Sequence, residues 1–298
     1  MNLLPAHRQC LTLDTGGIEL VERPISSILG HAHVPHVPHV RIALVMAGIC
    51  RTDLAVARGD LPVRRPRVLG HEAAGIVVDS SGSDARRFVG QKVAIDPRVD
   101  GFLGVNTDGA FATSIDLPCA NAIVLTPNLP WLRAAYLEPI AAALGAIQDL
   151  RAARRPAIVG NNRLARITKM LAETENIDLA WVHHSSELSP RTFDVIVESD
   201  PQLVESALFA LRNGGTLIAK SRPSTPVAMP LAEIVSRGLR IKGVAYGDFE
   251  TAADKLADPS IPFEDLFGPT FELADFNRAF AYSSESEDHK TFLRLAPI

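Results

Sequence analysis

The sequence predicts an α/β protein with two domains, a β-rich first part and a second part in which strands and helices alternate. The chain has 298 residues, about twice the roughly 150 residues of an average domain. Up to about residue 127 it is rich in Gly, Pro and short apolar runs, which is typical of strands joined by turns. Beyond residue 131, Ala- and Leu-rich segments alternate with short apolar runs, the pattern of βαβ units on a parallel sheet.

The first part contains three predicted strands, at residues 40–47 (VRIALVMA), in the later part of 68–78 (VLGHEAAGIVV, a turn and then a strand) and at 91–97 (QKVAIDP). Before them, residues 30–40 hold four of the nine histidines: His31, His33, His36 and His39. Pro35 and Pro38 exclude a helix or a central strand there. We therefore interpret this segment as a loop between strands rather than as a metal site.

The second part begins with a helical segment at residues 131–151, in which a new helix is expected to start near Pro139. Strands are predicted at 157–159, 179–182, 193–198 and 217–219, and helices at 164–175 and 201–212, with a turn at 213–215. From residue 271 the chain is expected to end in a helix and a last strand.

Composition excludes several classes of protein. The net charge is 30 − 34 = −4, which argues against a nucleic-acid partner because such proteins carry a basic footprint. Three cysteines, Cys10, Cys50 and Cys119, are too few for a disulfide framework, and no apolar run approaches the roughly 20 residues of a membrane span. The first ten residues lack the apolar stretch of a signal peptide. We expect a cytoplasmic protein without a membrane partner.

The first candidate for chemistry is the pair of motifs GICRTD, residues 48–53, and GHE, residues 70–72. The Cys50 thiolate and the His71 imidazole are good zinc ligands, and a catalytic zinc uses three protein ligands and an open position, so Glu138 is a candidate third ligand. Taken singly, each residue has a simpler explanation. Cys50 would be a small buried apolar residue at a strand end, and His71 a turn residue bonded to a backbone carbonyl.

The segments GICRTD, VLGHEAAGIV, VGQKVAIDP, YLEPIAAALGA and FDVIVES, in this order, closely resemble those of the zinc-dependent medium-chain alcohol dehydrogenases. The tail at 271–280 and Lys290 also fit, so the resemblance covers nearly the whole chain. It implies a GroES-like catalytic domain at residues 1–136 and 270–298. It also implies a shortened Rossmann-type dinucleotide-binding domain at 137–269, with the catalytic site in the cleft between the two domains.

The resemblance also implies roles for individual residues. One catalytic zinc ion would be bound by Cys50, His71 and Glu138. Among the catalytic residues, Glu72 matches the acid that lies behind the zinc, Thr52 the hydroxyl that relays a proton from the substrate, and Asp53 the carboxylate that orients the histidine. Physical chemistry supports these roles, because zinc lowers the pKa of an alcohol, a neighbouring hydroxyl can relay its proton, and a carboxylate fixes the tautomer of a ligating imidazole.

The chain departs from the family in two places that bear on metal and cofactor. No cysteine lies between Cys50 and Cys119, so the four-cysteine structural zinc lobe of many relatives is expected to be absent. In the segment of residues 160–165, Gly160 and Ala165 fit the dinucleotide fingerprint G-x-G-x-x-G/A, but Asn162 replaces its middle glycine. Arg163 either contacts the phosphate or is an ordinary solvated helix residue.

The second half of the nucleotide signature is also altered. After the strand at 179–182 stand His183 and His184, where an acidic residue should bind the ribose of NAD. Either NADP is preferred or a dinucleotide is not bound in the usual way. Only eight residues separate His184 from Phe193, so the sheet is expected to lack part of its first half. We assign six residues to the cofactor: Arg51, Gly160, Asn162, Arg163, Ala165 and His183.

The leading hypothesis is a zinc-dependent oxidoreductase that transfers hydride between a small secondary alcohol, a polyol or an amino alcohol, and NAD or NADP. The alternative keeps the fold but uses zinc as a Lewis acid in an elimination, hydration or isomerisation. A third possibility, a non-enzymatic scaffold, is disfavoured by the retained zinc motif. Residues 239–244 resemble the strand through which family dimers join their sheets, so a homodimer is expected first and a homotetramer second.

Overall fold

The computed structural model describes residues 6–25, 37–223, 225–286 and 288–296. Its contacts divide the chain into two compact units, Met1–Glu138 with Glu264–Ile298, and Pro139–Phe263. The predicted domain boundaries at 136/137 and 269/270 stay a prediction. Of the histidine segment, His31, His33 and His36 fall outside the described residues. His39 begins a strand, and its Nδ1 lies 2.8 Å from the Val37 carbonyl oxygen.

The first unit is built mainly of β-strands. Its strands are β1 (His7–Asp14), β2 (Gly17–Pro24), β3 (His39–Gly48), β4 (Arg67–Val68), β5 (Glu72–Ser80), β6 (Lys92–Ile95), β7 (Ser114–Pro118), β8 (Ala122–Val124), β14 (Phe267–Glu272) and β15 (Lys290–Arg294). Its helices are α1 (Arg51–Arg58), α2 (Trp131–Ala134) and α8 (Phe276–Glu285). The β-rich character predicted for this region is thereby confirmed.

Most of these strands form a seven-stranded sheet around β3. The order is β14-β15-β3-β5-β6-β8, and β7 pairs with the first half of β3, while β15 pairs with its end. A second sheet has the order β2-β1-β4. Apolar side chains of both sheets pack into one core, in which the rings of Phe111 and Phe280 meet edge to face at 6.2 Å. The C-terminal segment therefore belongs to this unit.

The second unit is a parallel sheet with helices. Its strands are β9 (Pro156–Val159), β10 (Ala180–Val182), β11 (Phe193–Glu198), β12 (Leu211–Ala219) and β13 (Arg240–Gly243), and its helices are α4 (Arg163–Thr174), α5 (Val204–Ala210), α6 (Leu231–Ser236) and α7 (Phe249–Ala257). Helix α3 (Leu137–Arg151) crosses the boundary between the units. Strand β9 is buried along its whole length, as expected for a parallel strand covered on both faces.

The order of the parallel strands is β10-β9-β11-β12-β13. Residues 183–192 are all described and contain one short 3-10 turn, Ser185–Glu187, so β10 is an edge strand. The predicted shortening of the sheet is confirmed. The helix predicted at 201–212 ends earlier, at Ala210, because β12 begins at Leu211 and accommodates the predicted turn at 213–215 as a break in its register with β11.

Candidate metal centre and nucleotide-binding turn

The sheet register brings Cys50 and His71 together. Strands β3 and β5 are antiparallel, with Gly48 opposite Glu72. Cys50 follows the end of β3 and is the N-cap of α1, whereas His71 directly precedes β5. Two residues separated by 21 positions in sequence therefore lie at the same end of the sheet.

The Asp53 carboxylate connects the two segments. Its Oδ2 accepts a hydrogen bond from the Cys50 amide at 2.8 Å, and its Oδ1 accepts one from the Gly70 amide at 3.2 Å. Asp53 Oδ1 also lies 3.3 Å from His71 Nδ1, at an angle that gives no well-aligned hydrogen bond. Since Asp53 is 2% exposed, this buried carboxylate fixes both segments and lies beside the Nδ1 atom of the imidazole.

The His71 ring is enclosed. Burial lowers its pKa, but the Asp53 carboxylate and the Cys50 thiol group outweigh burial and hold the pKa well above its usual value. The ring of Phe102 lies 4.9 Å from the imidazole. Phe102 belongs to the short segment that follows Pro97, in which the Asn106 amide donates to the Phe102 carbonyl oxygen at 2.8 Å. No sequence motif indicated this contact.

Three side chains offer ligand atoms to a metal within the part of the chain that the structure describes. The ligand atoms of Cys50, His71 and Glu72 all lie within 4.8 Å of one another. A thiolate, an imidazole and a carboxylate form a donor set that suits zinc, so the residues present fit such an ion. However, Lys290 Nζ lies 2.6 Å from each oxygen of Glu72.

Of the other predicted site residues, Arg51 and Thr52 directly follow Cys50 in sequence, whereas Glu138 is distant in sequence. Thr52 is half-buried in the first turn of α1, with its Oγ1 3.9 Å from Cys50 Sγ. Arg51 is exposed at the start of the same helix. Glu138 is buried as the second residue of α3, but it is not a member of the three-residue group. Its assignment as the third ligand stays a prediction, as do the roles of Thr52 and Arg51.

The predicted nucleotide-binding turn joins β9 to α4. Gly160 has φ +120°, and a Cβ at this position would lie 2.3 Å from Ser199 Oγ, so only glycine fits. Asn162 is the N-cap of α4: its Oδ1 accepts from the Ala165 amide at 3.1 Å and its Nδ2 donates to the Ser199 carbonyl oxygen at 2.7 Å. Its side chain thus uses one of the amides that a phosphate would bind. Arg163 is half-buried as the first residue of the helix.

The end of β10 carries aromatic rings instead of an acid. Trp181 Nε1 donates to the Gly160 carbonyl oxygen at 2.8 Å, and the His183 ring lies 4.5 Å from the indole. The His184 amide donates to Glu187 Oε1 at 2.9 Å. The Trp181 indole therefore connects the edge strand β10 to the Gly160 turn. The sequence pattern did not indicate this contact.

Comparisons with known proteins agree with this architecture. Residues 36–127 match the family model of the alcohol dehydrogenase GroES-like domain. The chain is 26% identical to an L-threonine 3-dehydrogenase of Paraburkholderia phymatum over 92% of this chain and 97% of that protein. It is 23% identical to a 2-dehydro-3-deoxy-L-galactonate 5-dehydrogenase of Pseudoalteromonas atlantica over 89% and 86%.

Among solved structures, the fold is similar to that of the alcohol dehydrogenase rspB of Escherichia coli CFT073, complexed with NADH. The TM-score is 0.82 at 19% identity, and the match covers 97% of this chain and 100% of that one. At this identity the likeness concerns the fold alone. No helix among the described residues is long and apolar enough to cross a membrane.

Proposed function

The chain belongs to the zinc-type medium-chain dehydrogenase/reductase family in a shortened form, and from this premise we propose that it transfers hydride between a secondary alcohol and NAD or NADP at a zinc centre. Membership supports a dehydrogenase-like enzyme of the NAD(P)-dependent type. The observation that carries the zinc assignment is the close approach of the Cys50 and His71 ligand atoms beside a buried carboxylate.

The chain's own residues would prepare the metal site by supplying ligands and by orienting them. Cys50 and His71 supply two ligands, and Glu138 is the proposed third. Asp53 holds the amides of Cys50 and Gly70 and faces His71 Nδ1, which leaves Nε2 for the metal. A bound zinc ion would supply Lewis acidity toward a substrate oxygen.

Thr52 is the proposed proton relay. Its hydroxyl, 3.9 Å from Cys50 Sγ, is close enough to the proposed ligands to accept a proton from a substrate alcohol and pass it on. Because Thr52 is half-buried in the first turn of a helix that Asp53 also anchors, its position is defined by the backbone. We expect Thr52→Ser to keep this proton relay and Thr52→Val to lose it, because only serine retains the hydroxyl.

The turn at Gly160 is the proposed dinucleotide site. Gly160 and the N-terminus of α4 fit a pyrophosphate, since the tight turn admits no side chain at Gly160. Ala165 allows close packing of α4, and Arg163 and His183 supply cationic or polar groups nearby. A dinucleotide bound there would supply the redox chemistry.

Polyols and amino alcohols are the proposed substrates. Two relatives named as dehydrogenases of L-threonine and of 2-dehydro-3-deoxy-L-galactonate support this class. The test is calorimetry of the zinc-loaded protein with NAD⁺ and NADP⁺, followed by nicotinamide absorbance assays on a panel of such alcohols and the matching ketones. We expect binding of at least one dinucleotide and turnover of at least one substrate.

Two cysteine variants sharpen this test. Cys50→Ser should abolish zinc retention and turnover while dinucleotide binding persists, because Cys50 lies in the other unit from the Gly160 turn. Cys119 is a half-buried free cysteine outside the GICRTD and GHE motifs, so Cys119→Ser should behave as wild type. If neither dinucleotide binds to zinc-loaded protein, the proposed redox function is wrong.

A second candidate is non-redox zinc catalysis on the same fold. The observation that favours it is the Asn162 side chain, which occupies the Ala165 amide at the nucleotide turn. This candidate predicts elimination, hydration or isomerisation by protein dialysed free of nicotinamide. Strict dependence of all activity on added NAD(P) would exclude it.

We also propose a cytoplasmic location, which the three unpaired cysteines support.

A homodimer is the proposed assembly, with a homotetramer as second choice. Strand β13 lies at the edge of its sheet, all four of its residues are exposed, and the Ile241 side chain is 40% exposed. An unpaired edge of this kind can pair with a second copy. Sedimentation should show a dimer that Ile241→Asp converts to monomer, and a monomeric wild type would contradict this.

A further inference from the structure

Two buried carboxylates are candidates for the same place at the Cys50–His71 site. Glu72 has its oxygens within 4.8 Å of the Cys50 and His71 ligand atoms. Glu138 is the proposed third ligand and is likewise buried. If both bound one ion together with Cys50 and His71, four protein ligands would occupy a tetrahedral zinc, and no position would remain for a substrate.

Lys290 engages Glu72 on both oxygens. Its Nζ lies 2.6 Å from Oε1 and 2.6 Å from Oε2, and it also donates to the Ile49 carbonyl oxygen at 3.3 Å. The side chains are 3% and 1% exposed. Short charge-assisted bonds between two buried side chains strongly favour this arrangement of the carboxylate.

The backbone is shaped to hold this pair. Strand β15 pairs with β3 in a register that places Phe292 opposite Gly48, and the Ile49 amide donates to the Thr291 carbonyl oxygen at 2.9 Å. Lys290 therefore starts its strand at the end of the sheet where Cys50 and Glu72 lie. A Cβ on Gly48 would lie 2.4 Å from Glu72 Oε2 and 3.2 Å from Lys290 Cδ, so the glycine leaves the room that the pair occupies.

We propose that Lys290 is a positioning residue that keeps Glu72 off the metal. The site then binds the ion through Cys50, His71 and one other carboxylate, and a coordination position stays open for the substrate. Without the ammonium group, Glu72 would be an uncompensated buried carboxylate beside a divalent cation, and it would become a metal ligand. This inference rests on the proposed zinc site.

The test uses the full-length protein loaded with Co²⁺, whose visible bands move when one donor of a four-coordinate site is exchanged for another, and to which a small anion such as azide binds only at an open position. We expect Lys290→Met to shift the Co²⁺ bands and to abolish their response to azide, because the Glu72 carboxylate then fills the position that azide would take. Lys290→Arg should keep the wild-type spectrum, because a guanidinium also satisfies both carboxylate oxygens. The double variant Glu72→Gln/Lys290→Met should return to the wild-type spectrum.

Three outcomes would overturn the inference. Lys290→Met could fold, bind Co²⁺ and give the wild-type spectrum. Glu72→Gln alone could change the metal spectrum, which would mean that Glu72 is already a ligand in the wild type. This second measurement keeps Lys290 in place and so decides the question even if Lys290→Met does not fold. Finally, failure of the wild type to bind Zn²⁺ or Co²⁺ would remove the proposed metal site and this inference with it, whereas the first two outcomes leave the proposed function standing.

Discussion

The Cys50–His71 site of the first unit and the Gly160–Ala165 turn of the second use their polar groups in different ways. At the Cys50–His71 site, the Asp53 side chain accepts a hydrogen bond from the Cys50 amide, and the Lys290 side chain donates to Glu72. The donor atoms of Cys50 and His71 lie close together. At the turn, the Asn162 side chain bonds to the turn's own helix and to Ser199. The first site brings potential ligand atoms together, whereas the polar groups of the second are satisfied by its own side chains.

This difference shows what shortening a chain can preserve. The metal site depends on three strands, β3, β5 and β15, whose register is fixed by the core of the first unit. The nucleotide turn lies beside the edge strand β10, where the sheet has no further strand in the described part of the chain. A site inside a sheet is supported from several sides, so we expect it to respond sharply to single substitutions, and the turn beside the edge to respond weakly.

The largest effect is expected from Asp53→Ala. It removes the acceptor of the Cys50 and Gly70 amides and the carboxylate beside His71, so metal affinity should fall about 10- to 100-fold. A competition titration with a metal chelator measures this. The matched control is Asp116→Asn, which disturbs the Arg41 pair in the same unit and should change stability but not metal affinity. Wild-type metal affinity in Asp53→Ala would contradict the role of Asp53.

A second prediction compares two acids of the same strand, Asp194 and Glu198 in β11. Burial disfavours the charged Asp194, but hydrogen bonds from the Arg154 and Arg155 amides and the charge of Arg212 outweigh it and lower its pKa. Asp194→Asn should therefore cost about 1.5 to 3 kcal/mol of unfolding free energy at pH 7.

The pH dependence has opposite signs for the two acids. Because the pKa of Asp194 is lower in the folded protein, its carboxylate stabilises the fold at pH values above the unfolded pKa of about 3.9. This stabilisation is lost as the pH falls through the folded pKa, so the stabilities of wild type and Asp194→Asn should converge in acid. Burial raises the pKa of Glu198, so its ionisation destabilises the fold as the pH rises, and Glu198→Gln should raise the Tm at pH 7. Urea denaturation and melting curves from about pH 2 to pH 8, which extend on both sides of the ordinary carboxyl pKa values near 4, measure both effects. A Glu198→Gln variant that is less stable than wild type at neutral pH would contradict the expectation for Glu198.

The smallest effect is expected from Asn162→Gly. Removing the cap frees the Ala165 amide for a phosphate, and one such hydrogen bond of about 1 kcal/mol corresponds to roughly fivefold tighter dinucleotide binding. Stability should fall by only a few tenths of a kcal/mol, since glycine is also a tolerated N-cap. Calorimetry with NADH and NADPH measures the change. Weaker binding in the variant would mean that Asn162 itself contacts the cofactor.

Particular residues show how far sequence patterns reach. Strand β11 occurs at the predicted residues, 193–198, because a short run rich in β-branched apolar residues between turn signals has few alternatives. The helix predicted at 201–212 was too long, because Leu211 and the residues after it pair with β11 instead of continuing the helix. Local propensity cannot reveal such pairing, since it depends on a strand distant in sequence.

The candidate site shows the same limit. The motifs at Cys50 and His71 were identified from sequence, and the structure brings their ligand atoms together. The contact of Phe102 with His71 and the contact of Trp181 with Gly160 carried no recognisable signal. A single aromatic residue in a turn or a short strand is common in any sequence, and only the folded backbone determines which ring lies against which partner.

The sequence by itself determined the two-part α/β architecture, the shortening of the parallel sheet and the residue types of the proposed zinc site. Periodicity, the number of residues between segments and donor chemistry do not depend on which segments pair in the folded protein. The tertiary structure decided how the carboxylates are distributed. It placed Glu72 against Lys290, 218 positions later in the chain, over a glycine that leaves room for both. That outcome follows from the register of β3, β5 and β15, which is set by the packing of a whole sheet and is not a property of any one segment.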